Sequence, residues 1–482
     1  MSASSAALRF PKDFHWGYAT ASAQVEGSID QDGRAPSIWD TFSRLPNKTL
    51  DGTDTTVTTD TYVQWRGDIE LMKSYGVNSH RLSLSWSRII PLGGKDDPVN
   101  QAGIDWYREY LKALVDAGIT PFVTLFHWDL PQALEDRYKG FLSRDIVADF
   151  ERYARVCFES FGDLVRDWFT INEPNVFSMM GYLFGSHAPG RTSNREKSAE
   201  GDSQREPFLV GHNLLLSHAS AVKSYREEFK QKQGGQIGLV VNMLWGEPLD
   251  DSAENLTAAD EFMAQSSGWF IEPVVFGDYP PSSRKIFEGH LPKFSAEDSA
   301  LVKGSCDFLG INHYSTFYIK RRTTPAEPGV PWTILHPAVE LGIHDKHGNE
   351  IGPVGGVNFV RIVPWGFGKL LDWTWKKYQL PIYITENGAV CPNENDIPFP
   401  DVLDDHFRIE YLTKYADQVA MAIQRGVPVK SHLMWALTDN FEWQEGHTAR
   451  FGVTYIDYED DCKRYPKKSA AVMKEYYRSR IE

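Results

Sequence analysis

Eight short runs of β-branched and aromatic residues alternate with amphipathic helical patterns along this chain, and no other feature of the sequence constrains the fold as strongly. The predicted strands span residues 16–21, 77–84, 121–126, 166–171, 237–241, 307–311, 382–385 and 430–435. Strands that alternate with helices are typical of βα units, whose strands lie parallel in one sheet. Eight such units within 482 residues predict an α/β fold, a single closed (β/α)8 barrel of the TIM type with long loop insertions.

The helical pattern is clearest over residues 146–161, where the apolar side chains recur at a spacing of 3.6 on one face. Ser143 is the expected N-cap of this helix, and Gly162 is expected to end it. The same kind of apolar stripe precedes Gly118 and Gly426. These segments are predicted to form part of an outer helical layer around the barrel.

No internal repeat, low-complexity tract or long linker interrupts the pattern. Residues 10–482 are therefore expected to form one domain after an N-terminal tail, residues 1–9. A polar insertion at 191–206 and a Pro/Gly-rich insertion at 321–356 are predicted to lie on the rim of the barrel's C-terminal face. An open doubly wound sheet is the rival architecture, but no GxGxxG motif follows the first strand.

The chain carries 50 Lys and Arg against 65 Asp and Glu, a net charge of −15. This charge repels phosphate groups, so neither nucleic acid nor an anionic membrane is an expected partner. No run of 18 apolar residues predicts a membrane-spanning helix. Four scattered cysteines and the lack of an apolar signal segment favour a cytoplasmic protein, although a secreted mature form stays open. The sequence does not fix the oligomeric state.

Polar side chains close several of the predicted strands, which is where barrels of this type gather their active sites. Two of them are carboxylates, Glu173 and Glu386, each in an otherwise apolar segment. One such Glu, taken singly, has a structural reading as half of an ion pair, because a buried Glu without a partner is costly. Two Glu residues in matching positions favour a catalytic role. Paired carboxylates are what cleavage of a glycosidic bond requires.

Seven sequence blocks, in the same order, resemble glycoside hydrolase family 1, the β-glucosidase family, and the resemblance extends from about residue 10 to about residue 465. The blocks are FHWGYATASAQVEG (14–27), RLSLSWSR (81–88), LFHWDLP (125–131), INEP (171–174), NHY (312–314), ITENG (384–388) and WALTDNFEW (435–443). A single short block would identify nothing, but seven in order are specific. The resemblance implies a hydrolase that retains anomeric configuration and needs no metal or cofactor.

By this resemblance, Glu386 is the nucleophile that forms a covalent glycosyl-enzyme, and Glu173 is the acid that protonates the leaving group and then the base that activates water. Arg81 and Tyr314 resemble the pair that contacts the nucleophile. Retention requires the two carboxyl groups to lie about 5 to 5.5 Å apart. A neighbouring negative charge is expected to raise the pKa of the acid, while Arg81 and Tyr314 keep the nucleophile ionised.

The same resemblance implies a sugar-binding pocket, in which Asn172 contacts the 2-hydroxyl and Trp435 forms the platform under the ring. The residues that resemble ligands of the 3-, 4- and 6-hydroxyls are Gln24, His127, Glu442 and Trp443, and those expected to line the same pocket are Trp128, Asn312, Tyr314 and Phe451. Taken singly, a buried His or Trp more often packs a core than binds a ligand. Their positions at strand ends and in the family's blocks favour the binding role.

No metal or cofactor motif is present in the sequence, and His344 and His347 lie in a polar loop that predicts an exposed turn rather than a metal site. The carboxylate of Glu442 opposes a sugar 6-phosphate. Relatives that cleave thioglucosides have Gln in place of the acid, whereas this chain keeps Glu173. Ordinary neutral O-glycosides are therefore the expected substrates.

Asn175 is a departure from the family pattern, because many members have Trp at this position. If the position lines the leaving-group side, the aromatic wall for the aglycone is reduced, and the preference for cellobiose and the extent of transglycosylation stay open. Trp332, in the second insertion, is a candidate replacement for that wall. A hydrophobic anchor that holds the insertion down is the alternative reading.

The leading hypothesis is a retaining exo-β-glucosidase that removes terminal non-reducing β-D-glucose from cello-oligosaccharides and from aryl and alkyl β-glucosides. Galactosidase or fucosidase side activity is compatible with the same residues. One rival is a glycosidase or transglycosidase specialised for another aglycone. The other is a catalytically dead sugar-binding or partner-binding relative, a class that typically lacks one of the two carboxylates that are both present here.

Overall fold

Eight parallel strands form the centre of the computed structural model, which describes residues 8–325 and 331–482. They are β1 His15–Ala19, β2 Ser79–Ser83, β3 Thr120–Phe126, β4 Asp167–Asn172, β5 Gln236–Asn242, β6 Leu309–Asn312, β7 Ile382–Glu386 and β8 Val429–Trp435. Each strand pairs with the next, and β1 pairs with both β2 and β8, which closes the barrel. The eight predicted strands are confirmed within two residues at either end, and the open-sheet rival is wrong because a closed barrel has no edge strands.

One long helix follows each strand on the outside of the barrel. These helices are α1 Thr61–Tyr75, α2 Gln101–Asp116, α3 Ile146–Phe161, α4 Glu206–Ser224, α5 Ala253–Ser266, α6 Pro364–Tyr378, α7 His406–Gln424 and α8 Lys468–Arg478. Shorter helices in the connections are Ser22–Val25, Ile38–Ser43, Trp86–Ile89, Gln132–Tyr138, Pro174–Tyr182, Lys230–Gln233, Gly268–Phe276, Pro281–Ile286, Ala296–Val302 and Pro331–Leu335. No helix among the described residues has both the length and the apolar character needed to cross a membrane.

Helix α3 shows how the sequence pattern becomes an outer layer. Its apolar stripe is buried against the barrel, and Gly162 ends it as predicted. The prediction of Ser143 as the N-cap is wrong, because the helix starts at Ile146 after Asp145. The Ser143 hydroxyl oxygen instead accepts the Asp145 backbone N–H at 3.2 Å, in the turn before the helix.

The barrel interior is filled by side chains from several strands. A cluster of buried residues occupies it: Phe122, Phe169, Val240, Phe308, Tyr383 and Leu433. A larger apolar core lies between the strands and the helices. This packing closes the centre of the barrel and leaves the carboxyl ends of the strands as the place where a pocket forms.

Both predicted insertions lie in connections that leave the carboxyl ends of strands. Residues 191–206 join β4 to α4, and residues 321–356, of which 326–330 lie outside the described residues, join β6 to α6. Two small sheets lie outside the barrel: Trp245–Pro248, Thr316–Arg321 and Val339–Gly342 form one, which includes strands of the second insertion, and Thr454–Asp457 pairs with Lys463–Pro466 in the connection after β8. The insertions therefore lie on the side of the barrel where the polar strand ends gather.

Candidate active site

Two buried carboxyl groups lie at the carboxyl ends of barrel strands β4 and β7, which β5 and β6 separate in the sheet. Glu386 is the last residue of β7, and Glu173 directly follows β4. Glu173 is 5% exposed and Glu386 is 4% exposed. Two acids buried this deeply need partners, and the partners differ between them.

Glu386 is bound by one charged and one neutral donor. Arg81 Nη1 of β2 donates to Glu386 Oε1 at 2.5 Å, and the Tyr314 hydroxyl donates to Oε2 at 2.6 Å. Arg81 itself is fully buried. A guanidinium and a phenol that both donate to one carboxylate favour its ionised form.

Among the residues that the structure describes, the side chains that donate to Glu173 are neutral amides. Asn312 Nδ2 donates to Glu173 Oε1 at 2.7 Å, and Asn242 Nδ2 donates to the same oxygen at 3.0 Å. Neither bond brings a positive charge. The second carboxyl oxygen of Glu173 is therefore left for a ligand to use.

Asn172 connects the two carboxyl groups through one oxygen atom. Its Oδ1 accepts Arg81 Nη2 at 2.7 Å and Asn312 Nδ2 at 3.1 Å. The chain of contacts thus runs from Glu386 through Arg81, Asn172 and Asn312 to Glu173. This continuity fixes the two carboxyl groups relative to each other.

The environment separates the pKa values of the two acids. Burial, and then the charge of Glu386, raises the pKa of Glu173 to about 8. Burial also raises the pKa of Glu386, but Arg81 and Tyr314 oppose this effect. Glu173 is therefore the group that keeps its proton at neutral pH, and burial contributes more to this than the neighbouring charge named in the sequence-based expectation.

His127 is a neutral imidazole with one free hydrogen-bonding atom. Burial and the charge of Arg81 hold the pKa of His127 well below its ordinary value. Asn172 Nδ2 donates to His127 Nε2 at 3.0 Å, so the ring proton is on Nδ1. Among residues 8–325 and 331–482 nothing accepts from this Nδ1, which makes it available to a sugar hydroxyl.

Gln24, Glu442 and Trp435 form the far side of the same pocket. Gln24 Nε2 and Trp435 Nε1 each donate to Glu442 Oε2 at 3.3 Å. Within the described part of the chain, Gln24 Oε1 has no donor. Burial, with the charges of Glu386 and Glu173, raises the pKa of Glu442 to about 8. The pocket thus presents an unpaired acceptor and a carboxyl group that is protonated near neutral pH.

Aromatic rings enclose these polar groups. Trp443 packs on Trp128 at a centroid distance of 4.7 Å and on Trp39 at 4.5 Å. The rings of Trp435 and His127 are near parallel at 6.1 Å. On the opposite side, Phe451 meets Tyr314 edge-on at 5.9 Å. A pocket with polar groups set among aromatic faces suits a sugar ring.

The structure brings all thirteen predicted site residues into one connected set. They are Gln24, Arg81, His127, Trp128, Asn172, Glu173, Asn312, Tyr314, Glu386, Trp435, Glu442, Trp443 and Phe451. Sequence reasoning missed Asn242, which donates to Glu173. A usable signal was present, because Asn242 closes β5 in the same way that Asn172 closes β4, but Asn242 lies outside the seven blocks.

The two rim residues singled out in the sequence have structural contacts. The Asn175 side chain is buried and binds the backbone of Asn242. Trp332 stacks on Phe184 at 6.5 Å and packs on His336 at 4.5 Å. The Trp332 contacts pack the second insertion against Phe184, and a role of Trp332 towards an aglycone stays a prediction.

The described residues contain no group of three or more His, Cys, Asp or Glu side chains placed to hold a metal ion. His344 is about half exposed and lies 4.0 Å from Glu350, which agrees with the predicted exposed turn. The donors that face Glu173 and Glu386 are side chains of the protein itself. The arrangement can therefore supply a proton donor and a nucleophilic carboxylate from its own residues.

Comparison with known proteins agrees with this geometry. The model of the family described as "Glycosyl hydrolase family 1" matches residues 6–481. Beta-glucosidase 1B of Phanerodontia chrysosporium is 47% identical over 485 residues, which cover 100% of this chain and 88% of the relative. Furostanol glycoside 26-O-beta-glucosidase of Hellenia speciosa is 46% identical and covers 98% of this chain and 83% of its own.

Solved structures give the same result. A family 1 β-glucosidase from the fungus Humicola insolens, crystallised with glucose, superposes with a TM-score of 0.96 at 48% identity and covers 99% of this chain and 100% of its own. The β-glucosidase from Trichoderma harzianum superposes with a TM-score of 0.94 at 45% identity and covers both chains completely. This chain belongs to glycosyl hydrolase family 1.

Proposed function

We propose that this protein is a retaining exo-β-glucosidase that releases terminal non-reducing β-D-glucose from cello-oligosaccharides and from aryl and alkyl β-glucosides. The observation that carries the proposal is the asymmetry of the two carboxyl groups. Arg81 and Tyr314 both donate to Glu386, whereas the donors to Glu173 in the described part of the chain are amides. A pair with one ionised and one protonated carboxyl group is what glycosidic cleavage with retention uses.

In the first step, Glu386 attacks the anomeric carbon while Glu173 gives its proton to the leaving oxygen. The bond between the anomeric carbon and the leaving oxygen breaks, and an ester between the sugar and Glu386 forms. Asn172 contacts the 2-hydroxyl, an interaction that strengthens as positive charge develops on the sugar. The leaving group departs as a neutral alcohol or phenol.

In the second step, the same Glu173 acts as a base. Once Glu386 is esterified, its negative charge is gone, and the pKa of Glu173 falls because that charge was one of the causes of its elevation. Glu173 then takes a proton from water, the water oxygen attacks the anomeric carbon, and Glu386 leaves as a carboxylate. An acceptor alcohol in place of water gives transglycosylation.

The substrate assignment is supported by the pocket and by the relatives. The free acceptor Gln24 Oε1 and the donor His127 Nδ1 suit adjacent sugar hydroxyls, and an epimer leaves such groups unpaired at a cost of about 1 to 3 kcal/mol each. A 6-phosphate would have to bury its charge beside Glu442, whose carboxyl group supplies no positive charge to pair with it. Several similar proteins are named β-glucosidases, and a rice relative was crystallised in a covalent complex with Glc.

The test is labelling with a 2-deoxy-2-fluoro-β-D-glucosyl fluoride. The 2-fluorine destabilises the oxocarbenium-like transition states, and the reactive fluoride leaving group lets the first step proceed while the second stalls. We expect one added fluoroglucosyl unit per chain, mapped by peptide mass to Glu386. The matched control is E386Q, which keeps the size of the side chain and should take up no label.

The outcomes separate the rival hypotheses. Normal hydrolysis of aryl β-glucosides without an adduct would contradict Glu386 as the nucleophile. The absence of both an adduct and hydrolysis would favour a relative with another glycone or a catalytically dead relative. Fluoro-galactosyl and fluoro-fucosyl reagents would then distinguish these two. Progress curves with cellobiose, an alkyl glucoside and a steroid glucoside rank the aglycones.

We also propose that residues 10–482 act as one catalytic domain and that the protein is cytoplasmic. The four cysteines Cys157, Cys306, Cys391 and Cys462 are buried free thiols, which supports a reducing compartment. Detection of the native protein in the cytosolic fraction tests the location. Recovery of the protein from the culture medium would contradict it.

A further inference from the structure

The Asn175 side chain binds both backbone groups of a single residue on the neighbouring strand. Its Nδ2 donates to the Asn242 carbonyl oxygen at 2.9 Å, and its Oδ1 accepts the Asn242 backbone N–H at 3.4 Å. The side chain is buried, with only 4% of Asn175 exposed. One planar amide therefore holds the end of β5 from the segment that follows β4.

Asn242 carries this contact to the acid Glu173. The Asn242 side chain donates from Nδ2 to Glu173 Oε1 at 3.0 Å. Asn175 lies two residues after Glu173, so the contacts return to the segment from which they started. Glu173, Pro174, Asn175 and Asn242 thus form a closed hydrogen-bonded ring beside the carboxyl group.

The backbone of Glu173 needs a restraint of this kind. Its φ of 43° lies in the left-handed region, which costs a residue other than glycine about 1 kcal/mol or more and persists only where neighbours hold it. The Glu173 backbone N–H donates to the Val240 carbonyl at 2.9 Å. Contacts to β5 before and after Pro174 therefore hold this turn in place.

We propose that Asn175 is a positioning residue for acid catalysis: it fixes the backbone of Asn242 so that the Asn242 amide keeps the Glu173 carboxyl group aligned with the leaving-group oxygen. The inference rests on the proposed function, in which Glu173 is the acid and base. It assigns to Asn175 a role in proton transfer rather than in contact with the aglycone.

An amide is the side chain that satisfies both bonds, and this makes the substitutions informative. N175A removes the donor and the acceptor together. N175D keeps the acceptor for the Asn242 N–H but sets a carboxylate against the Asn242 carbonyl. N242A removes the donor to Glu173 itself and should reproduce the effect of N175A.

The test compares substrates whose leaving groups need the acid to different degrees. An alkoxide requires protonation to depart, whereas 2,4-dinitrophenolate requires almost none, and kcat/KM reports the first step for both. We expect N175A and N242A to lower kcat/KM for octyl β-glucoside about tenfold, part of the 10²- to 10⁴-fold that a general acid contributes. For 2,4-dinitrophenyl β-glucoside the loss should be less than about twofold. If N175A does not fold, N175S carries the same comparison.

The pH profile gives a second readout. Asn242 lowers the pKa of Glu173 by donating to it, so loss of that alignment should move the alkaline limb of kcat/KM to higher pH. A purely structural weakening would leave the limb where it is.

A matched control exists at the other end of the barrel. Asn78 Nδ2 donates to the Phe14 carbonyl at 2.9 Å, and Asn78 Oδ1 accepts the Trp16 backbone N–H at 2.8 Å. N78A thus loses a matching pair of bonds to backbone groups, together with the bond that Asn78 Oδ1 accepts from the Ser79 hydroxyl at 3.0 Å, far from the carboxyl groups. We expect N78A to treat the two substrates alike, and equal losses on both substrates for N175A would overturn the inference.

E173A separates this inference from the proposed function. E173A should hydrolyse the dinitrophenyl substrate, fail on the octyl substrate, and form a β-glucosyl azide when azide is added. If E173A shows none of this, the proposed function fails. If E173A behaves as expected but N175A lacks leaving-group dependence, only the role of Asn175 fails. In the E173A background, adding N175A should not change kcat/KM for the dinitrophenyl substrate any further.

Discussion

Glu173 and Glu386 are both buried, yet different donors face them, and this difference orders their ionisation. We expect kcat/KM on alkyl β-glucosides to be bell-shaped in pH. The alkaline limb belongs to Glu173, which must carry a proton, so activity should fall as the pH rises through about 8. The acid limb belongs to Glu386, which must be ionised, and its pKa is raised above the ordinary value of 4.5.

The measurement is a pH series of kcat/KM with an alkyl and a dinitrophenyl glucoside. The alkaline limb should weaken on the dinitrophenyl substrate, because its departure needs little acid assistance. Activity on the alkyl substrate that stays constant well above pH 8 would contradict the assignment of Glu173.

We expect Tyr314 to set the acid limb of the pH profile. Y314F removes the hydroxyl that donates to Glu386 Oε2 at 2.6 Å while the ring keeps its edge contact with Phe451. Because that bond stabilises the charged carboxylate, its loss should raise the pKa of Glu386 and move the acid limb to higher pH. We expect kcat/KM near neutral pH to fall about tenfold, which corresponds to about 1.4 kcal/mol. An acid limb that does not move would show that Tyr314 only packs.

At the level of strands and helices, the sequence predicted what periodicity and strand ends encode. The eight strands and helices α2, α3 and α7 have repeating apolar patterns that the sequence shows directly. Polar residues at the strand ends indicated the site. Residues whose role depends on contacts across the fold were not visible in this way. Asn175 is an example, because its partner Asn242 lies 67 positions away, and only the structure shows that the Asn175 amide binds the backbone there.

A buried ion network behind the sugar-binding pocket is a second example of a feature that the sequence pattern does not predict. Lys467, fully buried, binds Glu394 at 2.5 Å and Asp439 at 2.8 Å. Asp439 lies in the segment after β8 and accepts the Gly452 N–H at 3.0 Å. No local pattern predicts that a lysine before α8 holds the loop that carries Glu442 and Trp443.

We expect K467M to loosen this loop. Removing the cation leaves two buried carboxylates with one partner fewer, which costs about 3 to 5 kcal/mol. Burial alone would raise the pKa of Glu394, but Arg408 and Lys467 hold this pKa at about 2. The stabilisation is therefore present at neutral pH and is lost as the pH falls from about 4.5 towards 2, and K467M should denature in acid at a higher pH than the wild type.

The check is a pair of variants. K463M removes an exposed lysine that lies 3.4 Å from Asp460 and should leave stability within about 0.5 kcal/mol. K467M should raise KM for a glucoside severalfold more than it lowers kcat, because the sugar-binding side of the pocket is displaced and the carboxyl pair is not. Equal behaviour of the two variants would contradict a positioning role for the network.

For the whole molecule, the active site is a net cost to the free energy of folding. Glu173, Glu386 and Glu442 are enclosed in one pocket, and burial raises the pKa of each. A carboxyl group that the fold keeps protonated takes up a proton on folding at neutral pH, and this lowers stability. The charge of Arg81 opposes the rise in pKa at both acids, but Arg81 donates its hydrogen bond to Glu386 and not to Glu173. The two acids should therefore respond to neutralisation with opposite signs.

E173Q should therefore be more stable than the wild type, and E386Q less stable. For Glu173, whose pKa rises from 4.5 to about 8, the gain from Gln should be absent below about pH 4.5, grow as the pH rises to 8 and then level off. At pH 7 it amounts to about 2 to 3 kcal/mol. E386Q also removes a buried charge, but it leaves the fully buried Arg81 without its counter-ion, a loss of about 3 kcal/mol or more that should exceed this gain.

Denaturant unfolding of wild type, E173Q and E386Q at pH 4.5, 7 and 8.5 measures these changes directly. The two variants carry the same Glu-to-Gln change at the carboxyl ends of barrel strands, so each is the control for the other. Destabilisation of both by a similar amount would mean that Glu173 is also held as a carboxylate, and the pKa order on which the acid and base roles depend would then be wrong. Opposite signs, with the E173Q gain confined to pH above about 4.5, would tie the stability of the whole barrel to the same charge asymmetry that makes the site reactive.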